Sequence, residues 1–245
     1  MEKYRQSWLN TADICAERAR LSVVSPREET TDAAAIGTAV HAGIEIYIQG
    51  QLDTYEECLQ HINTELLALT KLPTFRWVKY TPEKAYQLAE TFFSHWWTEM
   101  SATIQRNPQF TEVHFDLPFH DTRISGTIDY ADGIILRDWK TSGRGEYQQW
   151  QYERWAIQPT VYAWAWHELT GDILPFEYVI MHAKGIQRFT VHRDKGDFKW
   201  LHTKIANWQK LWDAELNGWP VNDNHALCSA KWCPWWNECK GSHTI

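Results

Sequence analysis

The sequence predicts a mixed α/β domain, with a central, mostly antiparallel or mixed sheet flanked by helices. Three observations predict it. Apolar residues in the first half recur at helical spacing, from about residue 111 they alternate, and a later helical stretch separates two groups of strands. A chain of 245 residues suits one domain with its own core. No repeat, low-complexity tract or Gly/Ser linker divides it.

Taken in order, residues 7–20 read as a helix, with Ser7 or Thr11 as possible caps. Residues 22–35 are polar and read as loop. Residues 34–49 form a helix, because Ile36, Val40, Ile44 and Ile48 fall on one stripe. Two more helices are expected over 53–69 and 82–105. Pro82 stands at a plausible first position of the second, which carries a face of Phe92, Phe93, Trp96 and Trp97. Residues 112–119 and 124–130 alternate like strands. Asp132-Gly133 marks a hairpin, and 134–140 is the return strand. A helix follows over 150–169, where Pro159 either kinks it or marks its true first turn. Strands at 175–183 and 186–193 are joined at Lys184-Gly185, and a last helix spans 196–217.

Composition narrows the classes of function. Hydrophobic residues make up 44% and charged residues 22%, and the mean hydropathy is -0.52. These values exclude an integral helical membrane protein and a disordered chain. The charged opening, Met1 to Gln6, leads into no apolar stretch, so a cytoplasmic setting without a secretory leader is the expectation. The net charge is -7, whereas a protein that coats duplex nucleic acid is usually basic. Any nucleic-acid role must rest on a local basic strip or on bound metal ions. The 16 tryptophans are either core or, in part, stacking platforms for single-stranded bases.

The hairpin carries the candidate chemistry. With a two-residue loop at Asp132-Gly133, Thr127, Asp129, Asp138 and Lys140 all fall on one face. Asp129 and Asp138 are then diagonal neighbours, near enough to grip one ion. Paired carboxylates repel, and a hard divalent cation such as Mg²⁺ or Mn²⁺ cancels that repulsion. Lys140 is placed to orient or deprotonate a water and to stabilise charge on an attacked phosphate. An exposed Asp138–Lys140 ion pair on an edge strand would explain the same pattern. Elsewhere, His41 and Glu45 lie one turn apart on a helix, as do Gln158 and Tyr162, whose stripe Trp155 and Trp166 extend.

Five cysteines argue against a disulfide framework. Cys228, Cys233 and Cys239 form C-x4-C-x5-C, with Cys15 the better fourth ligand. Cys58 reads as a buried small hydrophobe in a helix. The spacing leaves zinc and an iron–sulfur cluster equally open, with His225 and His243 available to zinc. Either would staple the two chain ends together.

The order Gly37-x-x-x-His41-x-x-x-Glu45, Gly126-x-Ile128-Asp129, Asp138-x-Lys140-Thr141, Gln158-x-x-x-Tyr162 and a C-terminal cysteine group resembles the RecB-type branch of the PD-(D/E)xK nuclease superfamily. The cysteines resemble its iron–sulfur subset, which includes AddB-like, CRISPR-associated adaptation and phage stand-alone nucleases. The resemblance runs from residue 15 to 239 and implies a restriction-endonuclease-like core over about 34–49 and 109–217. It also implies a helical insertion over about 50–108 and a clasp of Cys15 with 228–239. It makes His41, Asp129, Asp138 and the Trp139 carbonyl ligands of Mg²⁺ or Mn²⁺, and Lys140 the catalytic lysine. Gln158 and Tyr162 would shape the site and touch the strand, with Glu45 supporting them. The cysteines would hold a [4Fe–4S] cluster, with zinc as runner-up. Two departures stand out: many relatives have x2 where this chain has x4, and Pro159 interrupts the Gln/Tyr motif.

The expected activity is a DNA exonuclease acting on single strands or ends, with possible endonuclease activity, in repair, recombination or phage DNA metabolism. Seven basic residues between 184 and 210, among them Lys184, Arg188 and Arg193, oppose only Asp194 and Asp197. With Arg137 and Arg144 they form either a phosphate-tracking strip or an ordinary solvated surface. No G-x-x-x-x-G-K-[ST] occurs, so unwinding would fall to a helicase partner. A prespacer-trimming role would need an integrase. A non-catalytic DNA-binding or scaffold subunit is the alternative of another class.

Overall fold

The computed structural model describes residues 3–27, 30–143, 146–148, 157–224, 227–230 and 232–243, without the side chains of 240–243. Strands β1 (Lys3–Arg5), β4 (Thr111–Phe119), β5 (Thr122–Ala131), β6 (Leu136–Ser142), β7 (Phe176–His182) and β8 (Gly185–Val191) make one mixed sheet. Strands β2 (Thr30–Thr31) and β3 (Phe75–Arg76) form a separate short parallel pair. The helices are α1 (Gln6–Ile14), α2 (Ala16–Val24), α3 (Asp32–Ile48), α4 (Tyr55–Thr70), α5 (Pro82–Met100), α6 (Ile157–Thr170), α7 (Lys195–Asp213) and α8 (Trp236–His243).

The sheet is built around β5. Antiparallel β4 runs along one edge of it, so β1 and β6 share the other. β1 lies parallel to Arg123–Ser125, and β6 pairs with β5 only at Tyr130↔Arg137 and Ala131↔Leu136, while its whole length from Leu136 to Ser142 runs parallel to β7. β8 closes the sheet antiparallel to β7. All seven residues of β7 are buried, as a central strand covered on both faces requires. Phe176, Tyr178 and Ile180 join a core beneath α1, α6 and α7, while Val179 and Met181 join a second core beneath α3, α4 and α5. The segment 50–108 supplies α4 and α5, which pack on α3.

Several local expectations are corrected. The helix expected over 7–20 is two helices, because Cys15 adopts an extended conformation (φ -158°, ψ 112°) between them. The expected loop over 22–35 holds the end of α2, the strand β2 and the start of α3, which begins at Asp32 behind the cap Thr31. The helix expected to reach 105 ends at Met100, and the one expected to reach 217 ends at Asp213. Pro159 stands in the first turn of α6 as described; residues 149–156, including Trp155, lie outside the described residues. Half of the described tryptophans are buried, including Trp96 and Trp139, and Trp97, Trp166 and Trp212 pack against the cores; Trp77, Trp200 and Trp232 are exposed. Among the described residues no helix is long and apolar enough to cross a membrane.

Candidate active site

The hairpin loop is four residues, Asp132 to Ile135, rather than two. Asp132 makes it stable: its carboxylate accepts from the Ile134 and Ile135 amides at 2.9 and 3.0 Å, and Gly133 supplies a left-handed φ of 81°. The longer loop shifts the register by two residues, so the predicted neighbours Asp129 and Asp138 stay together. Beyond Tyr130↔Arg137 the ladder ends. The Trp139 amide instead donates to Asp129 Oδ2 at 2.8 Å. A side chain thus replaces a main-chain partner where the strands part, and both carboxylates open into the resulting cleft.

Each neighbour is positioned by a separate element. Asp138 is 2% exposed; its Oδ1 accepts from Gln158 Nε2 at 2.6 Å, and Lys140 Nζ lies 2.5 Å from its Oδ2. Gln158 Nε2 also donates to the Tyr162 hydroxyl at 3.3 Å, which in turn lies 3.5 Å from Gln6 Oε1. From α3, His41 Nδ1 comes within 3.5 Å of Asp129 Oδ2, and the imidazole is hydrogen-bonded to the Trp139 backbone. Gly37 makes this approach possible, because a Cβ there would lie 3.1 Å from Thr141 Oγ1. Glu45 follows one turn later, held by Gln49 Nε2 at 2.7 Å. The N-terminus of α3 is anchored by buried Asp32, which accepts from the Val78, Lys79 and Tyr80 amides at 3.2, 2.7 and 2.6 Å.

The electrostatics are those of carboxylates forced together. Burial pushes Asp138 up to about 6; Lys140 opposes this and Asp129 adds to it. Burial likewise raises Asp129 to about 6 against the Lys140 charge. Burial lowers His41 to about 4, leaving a neutral imidazole at pH 7 that can serve as a ligand.

Glu112 was missed by sequence reasoning. Burial, then Asp129, Glu45 and Asp138, push it up to about 7. It lies between Thr111↔Tyr130 and Val113↔Ile128 in the ladder, opposite Asp129, and has a left-handed φ of 49°. Here the pleat is interrupted: Ile128 and Tyr130, two residues apart, pack into different cores. The available signal was the two-residue turn His120-Asp121, since Phe119↔Thr122 sets the register that brings Glu112 to Asp129.

The donor set suits a hard divalent cation: three carboxylates, a neutral imidazole and the Trp139 backbone share one cleft with Lys140 as their nearby cation. As the side chains stand, no three His, Cys, Asp or Glu groups among the described residues converge on a common ion position. Lys140 instead sits on Asp138.

The basic residues fare differently. Arg137 is buried; it donates to Glu177 at 2.8 Å and lies over the Tyr130 ring. Arg188 binds the same Glu177 carboxylate, and Arg193 donates to Thr160 Oγ1 at 2.9 Å. These three are therefore tied into the fold rather than free for phosphate. Lys184 is exposed in the β7–β8 turn, and Arg144 lies outside the described residues.

Cys15, Cys228, Cys233 and Cys239 line one cavity, which none of the cleft carboxylates lines. Cys239 is raised by burial, then by Glu17 and the other three cysteines. Cys58 is fully buried in α4, and burial pushes its thiol up to about 11, as a core hydrophobe requires. His225 and the His243 side chain lie outside the described residues.

A model of the PD-(D/E)XK nuclease superfamily matches residues 6–240. The chain belongs to that superfamily. This nuclease-superfamily chain has the fold of a putative exonuclease from Eubacterium rectale, with a TM-score of 0.59 at 12% identity, covering 100% of this chain and 89% of the other. An alkaline exonuclease from Laribacter hongkongensis is more distant, with a TM-score of 0.33 at 9% identity over 78% of this chain and 91% of that one. The comparison with curated protein sequences returns no match.

Proposed function

We propose that the chain is a Mg²⁺- or Mn²⁺-dependent deoxyribonuclease of the RecB type, acting as an exonuclease on single strands or DNA ends. The observation that carries this reading is the cleft itself. Asp129, Asp138, Lys140 and His41 meet where β5 and β6 part, in a superfamily defined by its nuclease motif. His41, Asp129, Asp138 and the Trp139 carbonyl would hold the ion. When bound, the ion supplies positive charge that neutralises the carboxylates and polarises the phosphate.

The protein's own residues do the rest. Lys140, beside Asp138, would orient the attacking water and offset charge on the phosphate oxygens. Gln158 fixes the rotamer of Asp138, and Tyr162 fixes Gln158. Glu112 and Glu45 hold the negative potential that draws the ion in. The cytoplasmic setting, the role in repair, recombination or phage DNA metabolism, and the dependence on a helicase partner remain part of this proposal.

The reading extends to a [4Fe–4S] cluster on Cys15, Cys228, Cys233 and Cys239. The four thiols line one cavity, and their order in the sequence resembles that of the iron–sulfur subset, which supports a cluster over zinc. The cluster would hold the chain ends and stands apart from the cleavage chemistry.

The test is digestion of end-labelled single- and double-stranded DNA with Mn²⁺, Mg²⁺ or EDTA, beside Asp138→Ala. Metal-dependent cleavage lost in the variant supports the nuclease, and the label reports polarity. Equal cleavage by the variant, or none by the wild type with either metal, overturns it in favour of a DNA-binding subunit.

A further inference from the structure

An open groove runs along β1, β4 and β5 to Tyr162, on the outer side of the hydrogen-bonded chain that ends at Asp138. Its floor includes the N-terminus of α1, a nine-residue helix with no side-chain cap and no acidic residue in its first turn. First-turn amides have no acceptor within a helix and carry the positive end of its dipole. Gln6 stands at that terminus, 6% exposed, and its amide nitrogen has no hydrogen-bond partner. Its place against the sheet depends on Gly126, where a Cβ would lie 3.0 Å from the Gln6 Cβ.

Arg5 gives the groove its sign. Arg5 is exposed and makes no ion pair among the described residues, and Ser7 is exposed beside it. The groove's other cation, Lys3, is held by Asp116 at 2.6 Å, and Arg123 neutralises that carboxylate further. Arg5 is thus the uncommitted charge, next to an uncapped helix end and an unpaired buried amide. Such a set binds an oxyanion well.

We propose that Arg5, Gln6 and the first turn of α1 form a subsite for an internal phosphate of the nucleic-acid strand, adjacent to the phosphate that is cut. This deepens the nuclease reading and rests on it for the identity of the strand. Tyr162 links the subsite to the chemistry, since it lines the groove and contacts both Gln6 and Gln158. The subsite positions the strand; it takes no part in bond breaking.

The test pairs protein variants with oligonucleotides in which one phosphate at a time is a neutral methylphosphonate. Arg5→Ala is expected to raise Kd and KM about tenfold, leave kcat within about twofold, and reduce the slope of log Kd against log salt by about one. Gln6→Glu, which sets a carboxylate at the helix end, should weaken binding more than Gln6→Ala. Thermal melts of all variants report folding, and exposed Arg5 guards the test if Gln6 variants fold poorly. One methylphosphonate position beside the cut should weaken wild-type binding but not binding by Arg5→Ala, and Lys71→Ala should change nothing. If Arg5→Ala binds and cuts like wild type while Lys140→Ala is inactive, the subsite is wrong and the nuclease stands. If Lys140→Ala cuts normally, the nuclease reading fails, and the Arg5 effect on Kd still decides the subsite. Dependence on a 5′-terminal phosphate alone overturns the internal assignment.

Discussion

Lys140 touches Asp138 at 2.5 Å and is the nearby cation among three buried or half-buried carboxylates. Lys140→Ala should therefore lower kcat by about 100-fold or more while the fold survives, because a preorganised charge at the phosphate has no substitute. Single-turnover cleavage, with a thermal melt beside it, checks this. Glu112 stands opposite Asp129, whose charge helps to raise it. Glu112→Gln should raise the Mn²⁺ concentration for half-maximal activity about tenfold, as loss of a supporting group does at metal sites. A metal titration of activity reads it directly, and unchanged half-saturation would remove Glu112 from the site.

At the scale of elements, α3 must be held at two places for His41 to reach Asp129. One is its N-terminus. Asp32→Ala leaves three loop amides without their buried acceptor and should cost about 2 kcal/mol in urea unfolding. Burial alone would raise the Asp32 carboxyl, but its backbone donors bring it below the usual carboxylate range. Its folded pKa is thus below its unfolded one, so its contribution is present above about pH 4 and lost as pH falls through the folded value. Asp32→Ala should accordingly narrow its deficit relative to wild type below about pH 4. The second place is the crossing with α4, where a Cβ on Gly43 would lie 2.3 Å from Ile62 Cγ1. Ile62 is fully buried and cannot move aside. Gly43→Ala should cost about 1–3 kcal/mol and lower activity by shifting His41 and Glu45, and adding Ile62→Ala should recover part of both.

For the whole molecule, hydrogen bonds and ion pairs tie the two ends of the chain together. The Trp219 amide donates to buried Glu17 at 2.8 Å, Asn222 Nδ2 to the Ile14 carbonyl, and Trp235 Nε1 to the Ser25 carbonyl. Arg27 pairs with Glu238, and Lys204 with Asp13. If Cys15 holds the proposed cluster, Cys15→Ser should abolish iron binding and lower Tm by several degrees, without unfolding the chain at room temperature. Iron analysis, absorbance near roughly 400 nm and calorimetry test this. A zinc-loaded, colourless protein of equal stability would overturn the cluster.

The sequence by itself determined what is local or periodic. An apolar stripe placed α3, Pro82 and an aromatic face placed α5, alternation placed β4 and β5, and the Asp132-Gly133 turn placed β6 as the return strand. The pleat's period of two kept Asp129 and Asp138 together even though the hairpin loop proved to be four residues. The motif order marked His41, Lys140, Gln158 and Tyr162, which the structure gathers at one cleft. Tertiary structure decided what depends on segments distant in sequence. Glu112 enters the cleft through the β4–β5 register, and Gln6 reaches the neighbouring groove through the parallel pairing of β1 with β5. Arg137 and Arg188 look like free cations in sequence, yet Glu177 on the neighbouring strand claims both. The reason is physical. Periodicity is a property of one chain segment, whereas register, ion pairing and the parting of β5 from β6 are set only when separate segments compete for the same hydrogen bonds.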